Sequence, residues 1–187
     1  MLPIYVVNNF GQFNHLIHRA LRDLDIDAVL IPNTTSPEQV MEGCRGIILG
    51  GGPTIERAGN CSRYLDLGLP VLGICLGLHI IANRFGGRVH TGLSGGYGPV
   101  DIEICENDEI LAGYPQRISV WASHADEVSR LPEGFTLLAR SPICNNEAIA
   151  LPQKRIFGLQ WHPEVSHTFE GKRVFENFNR IISENNQ

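Results

Sequence analysis

A chain of 187 residues with 43% hydrophobic and 19% charged residues suits one α/β domain whose core needs no disulfides, and excludes disorder and fibrous repeats. The formal net charge of −5, from 15 Lys/Arg against 20 Asp/Glu, comes with basic residues only in short pairs such as Lys154-Arg155 and Lys172-Arg173, which argues against a nucleic-acid partner. The five cysteines, Cys44, Cys61, Cys75, Cys105 and Cys144, show no C-x-x-C spacing, so neither a disulfide framework nor a zinc site follows and a reducing cytoplasm is expected. The apolar run near Met1 lacks a basic start and is too short for a signal peptide or a membrane span. It reads as a first strand over residues 4–7.

Further short apolar runs at 28–31, 46–49 and 70–74 alternate with segments of helical spacing, the rhythm of βαβ units. Leu16, Ile17, Ala20, Leu21 and Leu24 recur at three and four residues and predict an amphipathic crossover helix. A second helix is expected over 76–85, ended by Gly86-Gly87. Beyond Gly87 the runs at 117–120, 136–141, 148–150 and 157–160 are divided by Pro and Gly turns and predict a more antiparallel half. A closing helix over 172–182 carries Val174, Phe175, Phe178, Ile181 and Ile182 on one face. The expected fold is a doubly wound mixed α/β sheet flanked by helices, one domain over residues 1–187.

The chemistry concentrates at Gly73-Ile74-Cys75-Leu76-Gly77. Cysteine between two glycines, after an apolar strand and before a helix, is how a tight turn presents a nucleophile. The helix that follows offers free N–H groups and positive potential to a thiolate. An open α/β sheet binds its ligands at this carboxyl edge. Downstream, His162-Pro163-Glu164 supplies a base and an acid two residues apart, projecting the same way from an extended segment. Cys75, His162 and Glu164 therefore read as a triad, with His162 taking the thiol proton and Glu164 fixing its tautomer. The run Gly50-Gly51-Gly52-Pro53 after a strand can expose N–H groups to an oxyanion, with Gly51 and the N–H of Leu76 as donors and Gly52 open to substrate.

These three motifs, in this order and across nearly the whole chain, resemble the triad-type (class I) glutamine amidotransferases, a flavodoxin-like fold. The resemblance implies hydrolysis of the side-chain amide of L-glutamine through a γ-glutamyl thioester on Cys75, with the ammonia delivered to a partner active site. The longer motif from Trp161 through Gly171 is similar to the GMP synthetase branch, as is Trp121-Ala122-Ser123-His124-Ala125-Asp126-Glu127-Val128. That likeness places His124 and Asp126 near the glutamine α-carboxylate and α-amino groups, or else they are loop residues capping a turn. Likewise His167 and Thr168 either face a partner or cap the final helix.

Two departures stand out. His79 occupies the position four residues after the nucleophile where the family commonly has glutamine, and either substitutes for an amide contact to substrate or packs as a core histidine. Gly96 stands where the family often has glutamate. Ser94-Gly95-Gly96-Tyr97 begins like a pyrophosphate-cradling loop, but no Asp-Ser follows and Pro99 interrupts, so it reads as a turn. No Walker A or G-x-G-x-x-G sequence appears. The resemblance is thus to the free-standing subunit of a two-subunit GMP synthetase. It implies no cofactor on this chain, with ATP and Mg used by a separate ATP pyrophosphatase subunit that aminates xanthosine monophosphate. Alternatives of the same chemistry are the anthranilate and aminodeoxychorismate routes; a different class is a non-catalytic regulatory subunit on this fold.

Overall fold

The computed structural model describes residues 1–107 and 109–184, and only the backbone of 93–95. Its first half alternates strand and helix: β1 (Ile4–Asn8), α1 (Asn14–Asp23), β2 (Ala28–Pro32), α2 (Pro37–Gly43), β3 (Gly46–Leu49), α3 (Cys61–Tyr64), β4 (Val71–Ile74) and α4 (Leu76–Arg84). Local sequence explains several of these boundaries. Ser36 and Gln39 form a reciprocal capping box ahead of Pro37 at the start of α2, satisfying two N–H groups the helix cannot. Gly86, at φ +83°, follows the end of α4 in the left-handed conformation that glycine adopts without cost.

The second half is β5 (Arg88–Ile104), β6 (Arg117–Arg130), β7 (Thr136–Arg140), β8 (Ala148–Leu151), β9 (Ile156–Leu159) and α5 (Lys172–Glu184). All nine strands form one sheet in the order β2-β1-β3-β4-β9-β8-β7-β5-β6. Strands β2, β1, β3, β4 and β9 are mutually parallel, whereas β8, β7, β5 and β6 continue antiparallel. This is the expected mixed sheet.

Side chains alternate across it as the two-residue strand period requires. Ile48, Leu72, Ile74, Phe157 and Leu159 join one buried cluster with Ile17 and Leu21 of α1 and Phe175 and Phe178 of α5. Ile47, Leu49, Val71 and Ile156 join the other, with Val40 of α2, Tyr64 of α3 and Ile81 of α4. The inner strands of the parallel half, β3, β4 and β9, are buried throughout, so they read as unbroken apolar runs, whereas the edge strand β2 leaves Val29 and Leu30 exposed.

The expectations for β5 and β6 need correction. Turn chemistry predicts a turn over 94–97, and one of the two readings of His124 and Asp126 makes them loop residues, yet both stretches lie in a long two-stranded ribbon pairing Gly96 with His124, Tyr97 with Ser123 and Thr91 with Asp126. The register shifts between Thr91 and Gly96, so an irregularity in one strand accommodates the glycines while cross-strand pairing overrides their turn preference. Among the described residues no helix is long and apolar enough to cross a membrane.

Candidate active site

The parallel register brings the site together. Leu49 of β3 lies beside Gly73 of β4, and Ile74 of β4 lies beside Leu159 of β9. The segments leaving those three strands at their carboxyl ends, Gly50–Gly52, Cys75 and Gln160–His162, therefore emerge side by side. Cys75 N–H extends the ladder by donating to the Leu159 carbonyl at 2.8 Å.

Cys75 has φ +55° and ψ −105°, an unfavourable conformation for a residue with a Cβ and one that surrounding packing must hold. The flanking glycines explain how the turn closes: a Cβ on Gly73 would stand 2.5 Å from the Gly77 carbonyl carbon, and one on Gly77 would stand 2.2 Å from the Leu49 oxygen. The turn puts the sulfur at the mouth of α4, with Leu76 the first helical residue. Cys75, Gly51, Gly52, Ser123, His162 and the Phe10–Asn14 loop line a cavity of about 240 Å³, room for a small polar molecule.

His162 sits beside Cys75 in that cavity. Its Nδ1 donates to Glu164 Oε1 at 2.6 Å, with both side chains buried, which fixes the tautomer and leaves Nε2 as the ring's proton acceptor. Burial is the largest single influence on the ring and works against its charge. The Glu164 carboxylate, and then the Cys75 sulfur as a thiolate, outweigh it and push the His162 pKa up to about 10, so the ring can hold a proton taken from the thiol. Phe13 packs edge-on against the ring at 5.0 Å between centroids. Nε2 has no partner within hydrogen-bonding geometry, and the Cys75 thiol donates to the Ser123 carbonyl, 3.7 Å away.

Gly51 lies over this pair; a Cβ there would come within 3.5 Å of His162 Cε1 and 3.9 Å of the Cys75 Cβ. Two buried asparagines that no motif in the sequence singles out hold its loop. Asn9 Nδ2 donates to the Gly50 carbonyl at 3.1 Å, and Asn14 Nδ2 donates to the Gly51 carbonyl at 3.0 Å. In a planar trans peptide the N–H opposes the C=O, so anchoring these carbonyls fixes the direction of the Gly51 and Gly52 N–H groups. The signal available in the sequence was an Asn8-Asn9 pair at the end of an apolar strand.

The remaining candidates fall elsewhere. His79 is buried and its Nε2 lies 2.8 Å from Gln160 Oε1; it does not line the cavity, because the first turn of α4 packs that face against β9. Burial, the dominant influence, lowers its pKa despite the Gln160 hydrogen bond. His124 and Asp126 do not line the cavity either, since both are spent within the ribbon. Asp126 accepts from Thr91 Oγ1 at 2.9 Å, and His124 Nδ1 lies 3.0 Å from the Asp126 carbonyl. His124 Nε2 is buried without a partner and faces Gly96, where a Cβ would stand 2.5 Å from it. The Gly96 departure and the His124 rotamer are thus one feature.

Thr168 neither caps α5, which starts at Lys172, nor faces outward. Its hydroxyl donates to the His162 carbonyl at 2.7 Å and accepts from Trp121 N–H at 3.0 Å. His167 packs on Trp121, with ring centroids 4.9 Å apart. Among the described residues no group of three or more His, Cys, Asp or Glu side chains could hold a metal ion.

A strained cysteine on a strand-to-helix turn beside a carboxylate-held histidine, at the edge of a mixed α/β sheet, is an arrangement suited to cysteine-dependent acyl transfer. The chain belongs to the class-I glutamine amidotransferase family, whose model matches residues 5–181. It is 73% identical to a glutamine-hydrolyzing GMP synthase subunit of Methanoregula boonei, over 98% of this chain and 100% of that one. To the corresponding GMP synthase subunit of Methanospirillum hungatei it is 67% identical over 100% of both. Among solved structures, a protein of Thermoplasma acidophilum regarded as a GMP synthase subunit superposes with a TM-score of 0.94 at 35% identity, covering 100% of this chain and 96% of that one. A Thermotoga maritima glutamine amidotransferase shares the fold at 19% identity, with a TM-score of 0.77 over 99% of this chain and 85% of that one.

Proposed function

We propose that this chain is the glutamine-hydrolysing subunit of a two-subunit GMP synthase, supplying ammonia to a separate ATP pyrophosphatase subunit that converts xanthosine monophosphate to GMP. The observation that carries the reading is full-length identity of 73% to a glutamine-hydrolyzing GMP synthase subunit. Cys75, His162 and Glu164 standing together at one sheet edge support it from the chemistry.

The Cys75 proton passes to Nε2 of His162, whose charge the Glu164 carboxylate balances. The sulfur attacks the δ-carbonyl of glutamine and the oxygen gains negative charge opposite the Gly51 and Leu76 N–H groups. The C–N bond then breaks as the nitrogen takes the His162 proton and leaves as ammonia, while a γ-glutamyl thioester stays on sulfur. Water, deprotonated by the same imidazole, attacks the thioester; the C–S bond breaks, glutamate departs and the thiol is restored. ATP and Mg belong to the partner, which performs the activation, and the reaction takes place in the cytoplasm. The thiol must first turn from Ser123 toward His162, as catalytic hydrogen bonds often tighten only in the productive complex.

Cys75→Ala tests this directly. With the ATP pyrophosphatase subunit present, GMP formation from glutamine is expected to vanish and formation from added ammonia to persist. Glutamine use by the variant would overturn the assignment of Cys75.

A further inference from the structure

Gln160 lies between His79 and the sulfur, and each of its amide atoms has a separate partner. Its Oε1 is 2.8 Å from His79 Nε2 and its Nε2 is 3.8 Å from Cys75 Sγ. Both side chains are buried, Gln160 at 0% and His79 at 4% exposure. The Cys75 thiol spends its single hydrogen on the Ser123 carbonyl, so toward Gln160 the sulfur presents lone pairs and calls for a donor. The amide nitrogen must therefore face sulfur and the amide oxygen must face His79. An amide oxygen only accepts, so His79 carries its proton on Nε2.

We infer that Gln160 stabilises negative charge on Cys75 Sγ through its amide N–H, and that His79 is the positioning residue that locks that amide in the donating orientation. This rests on Cys75 being the nucleophile, as proposed above.

The backbone supports the geometry. Gln160 N–H donates to the Glu147 carbonyl at 2.7 Å, anchoring the residue one step past the end of β9. His79 is carried on the first turn of α4, its N–H donating to the Cys75 carbonyl at 3.2 Å. Nucleophile and positioning residue are therefore joined directly through one helical turn. When the thiol loses its proton the Ser123 carbonyl turns from acceptor to repulsive neighbour. The Gln160 N–H then becomes a charge-assisted donor from a fully buried side chain, where such a bond is strongest. The histidine four residues past the nucleophile thus acts at second hand, by aiming an amide, and does not touch substrate.

The test is the rate of iodoacetamide alkylation at Cys75 at one fixed pH, followed by peptide mass, alongside the ultraviolet absorbance of the thiolate. His79→Leu removes the donor and keeps the bulk. It should slow alkylation about tenfold, as expected for a lost hydrogen bond to a charged group. Gln160→Met should slow it by the same factor, and the double variant should fall no further. His79→Gln, whose amide nitrogen can occupy the place of Nε2, should restore the rate to within about twofold of wild type. Wild-type alkylation in folded His79→Leu or Gln160→Met, or additive losses in the double variant, would overturn the inference. Should His79→Leu fail to fold, His79→Gln and Gln160→Met decide it: fast with the first and slow with the second supports the bridge, and any other pairing rejects it. These outcomes concern the sulfur alone, so they stay distinguishable from a failed GMP assay with Cys75→Ala.

Discussion

His162 and Glu164 meet across a single proline, Nδ1 to Oε1 at 2.6 Å, although they are only two residues apart and belong to no regular element. Their separation alone does not create that contact. Thr168 ties the His162 carbonyl to β6, and a Cβ on Gly171 would stand 1.9 Å from the Pro163 oxygen, so the return of the chain toward α5 clamps the turn from outside.

Glu164→Gln is expected to keep the hydrogen bond but remove the charge. Loss of the aligning carboxylate's charge in a hydrolytic triad costs roughly 10⁴-fold in turnover, and glutamine hydrolysis by the complex should fall by a factor of that order. The ring should also lose proton affinity, because the carboxylate is the foremost influence raising it. The His162 imidazole signal followed by NMR across alkaline pH would show its midpoint lowered; an unmoved midpoint would mean that the carboxylate does not hold the charge.

The same shift has a stability consequence of definite sign. A histidine whose folded pKa is raised binds more protons folded than unfolded, so its stabilisation is complete below the ordinary value near 6.5 and is lost as pH rises through about 10. Buried His124 acts on the other side. Burial foremost lowers its pKa to about 4, so the unfolded chain takes up protons first and stability falls as pH drops from 6.5 toward 4. Urea unfolding at a series of acid pH values should give a shallower decline for His124→Gln than for wild type. Parallel curves would mean that His124 is not held neutral in the fold.

How legible was this in the sequence? The central parallel strands were readable because strands buried on both faces leave uninterrupted apolar runs, and because the Gly73 and Gly77 contacts allow no side chain, so the elbow announces itself. The β5–β6 ribbon was not, since Thr91 to Pro99 carries turn residues and its strand character comes from pairing with residues about thirty positions away. Cys75, His162 and Glu164 were recognisable from residue chemistry. His79 stands out by its position, but its partner Gln160 lies 81 residues away, and no local pattern encodes that contact. Asn9 and Asn14 escape for the same reason, since the glycine carbonyls their amides hold lie 41 and 37 residues away.

Gly96→Ala tests whether glycine is required by the ribbon. The added Cβ would stand 2.5 Å from His124 Nε2 and 3.1 Å from the Ala122 Cβ, so the buried ring has to move, at a cost of about 1–3 kcal/mol for overpacking. Pairing it with His124→Ala should recover much of that loss, since neighbours in contact are not additive. Denaturant midpoints of the four proteins measure the coupling, and strictly additive losses would place the cost in the backbone alone.

Thr168→Val leaves two buried backbone groups, the Trp121 N–H and the His162 carbonyl, without their shared partner while preserving shape. Unpaired buried polar groups cost about 1–3 kcal/mol, and the denaturant midpoint should fall accordingly. A second effect separates this residue from an ordinary core position. Because the hydroxyl holds the backbone of His162 itself, the ring should lose alignment with Cys75, so kcat for glutamine hydrolysis should drop with KM nearly unchanged. Equal stability loss with unaltered kcat would show that Glu164 and Phe13 suffice to hold the ring. A Thr168→Ser variant, which retains the hydroxyl, should return both quantities toward wild type.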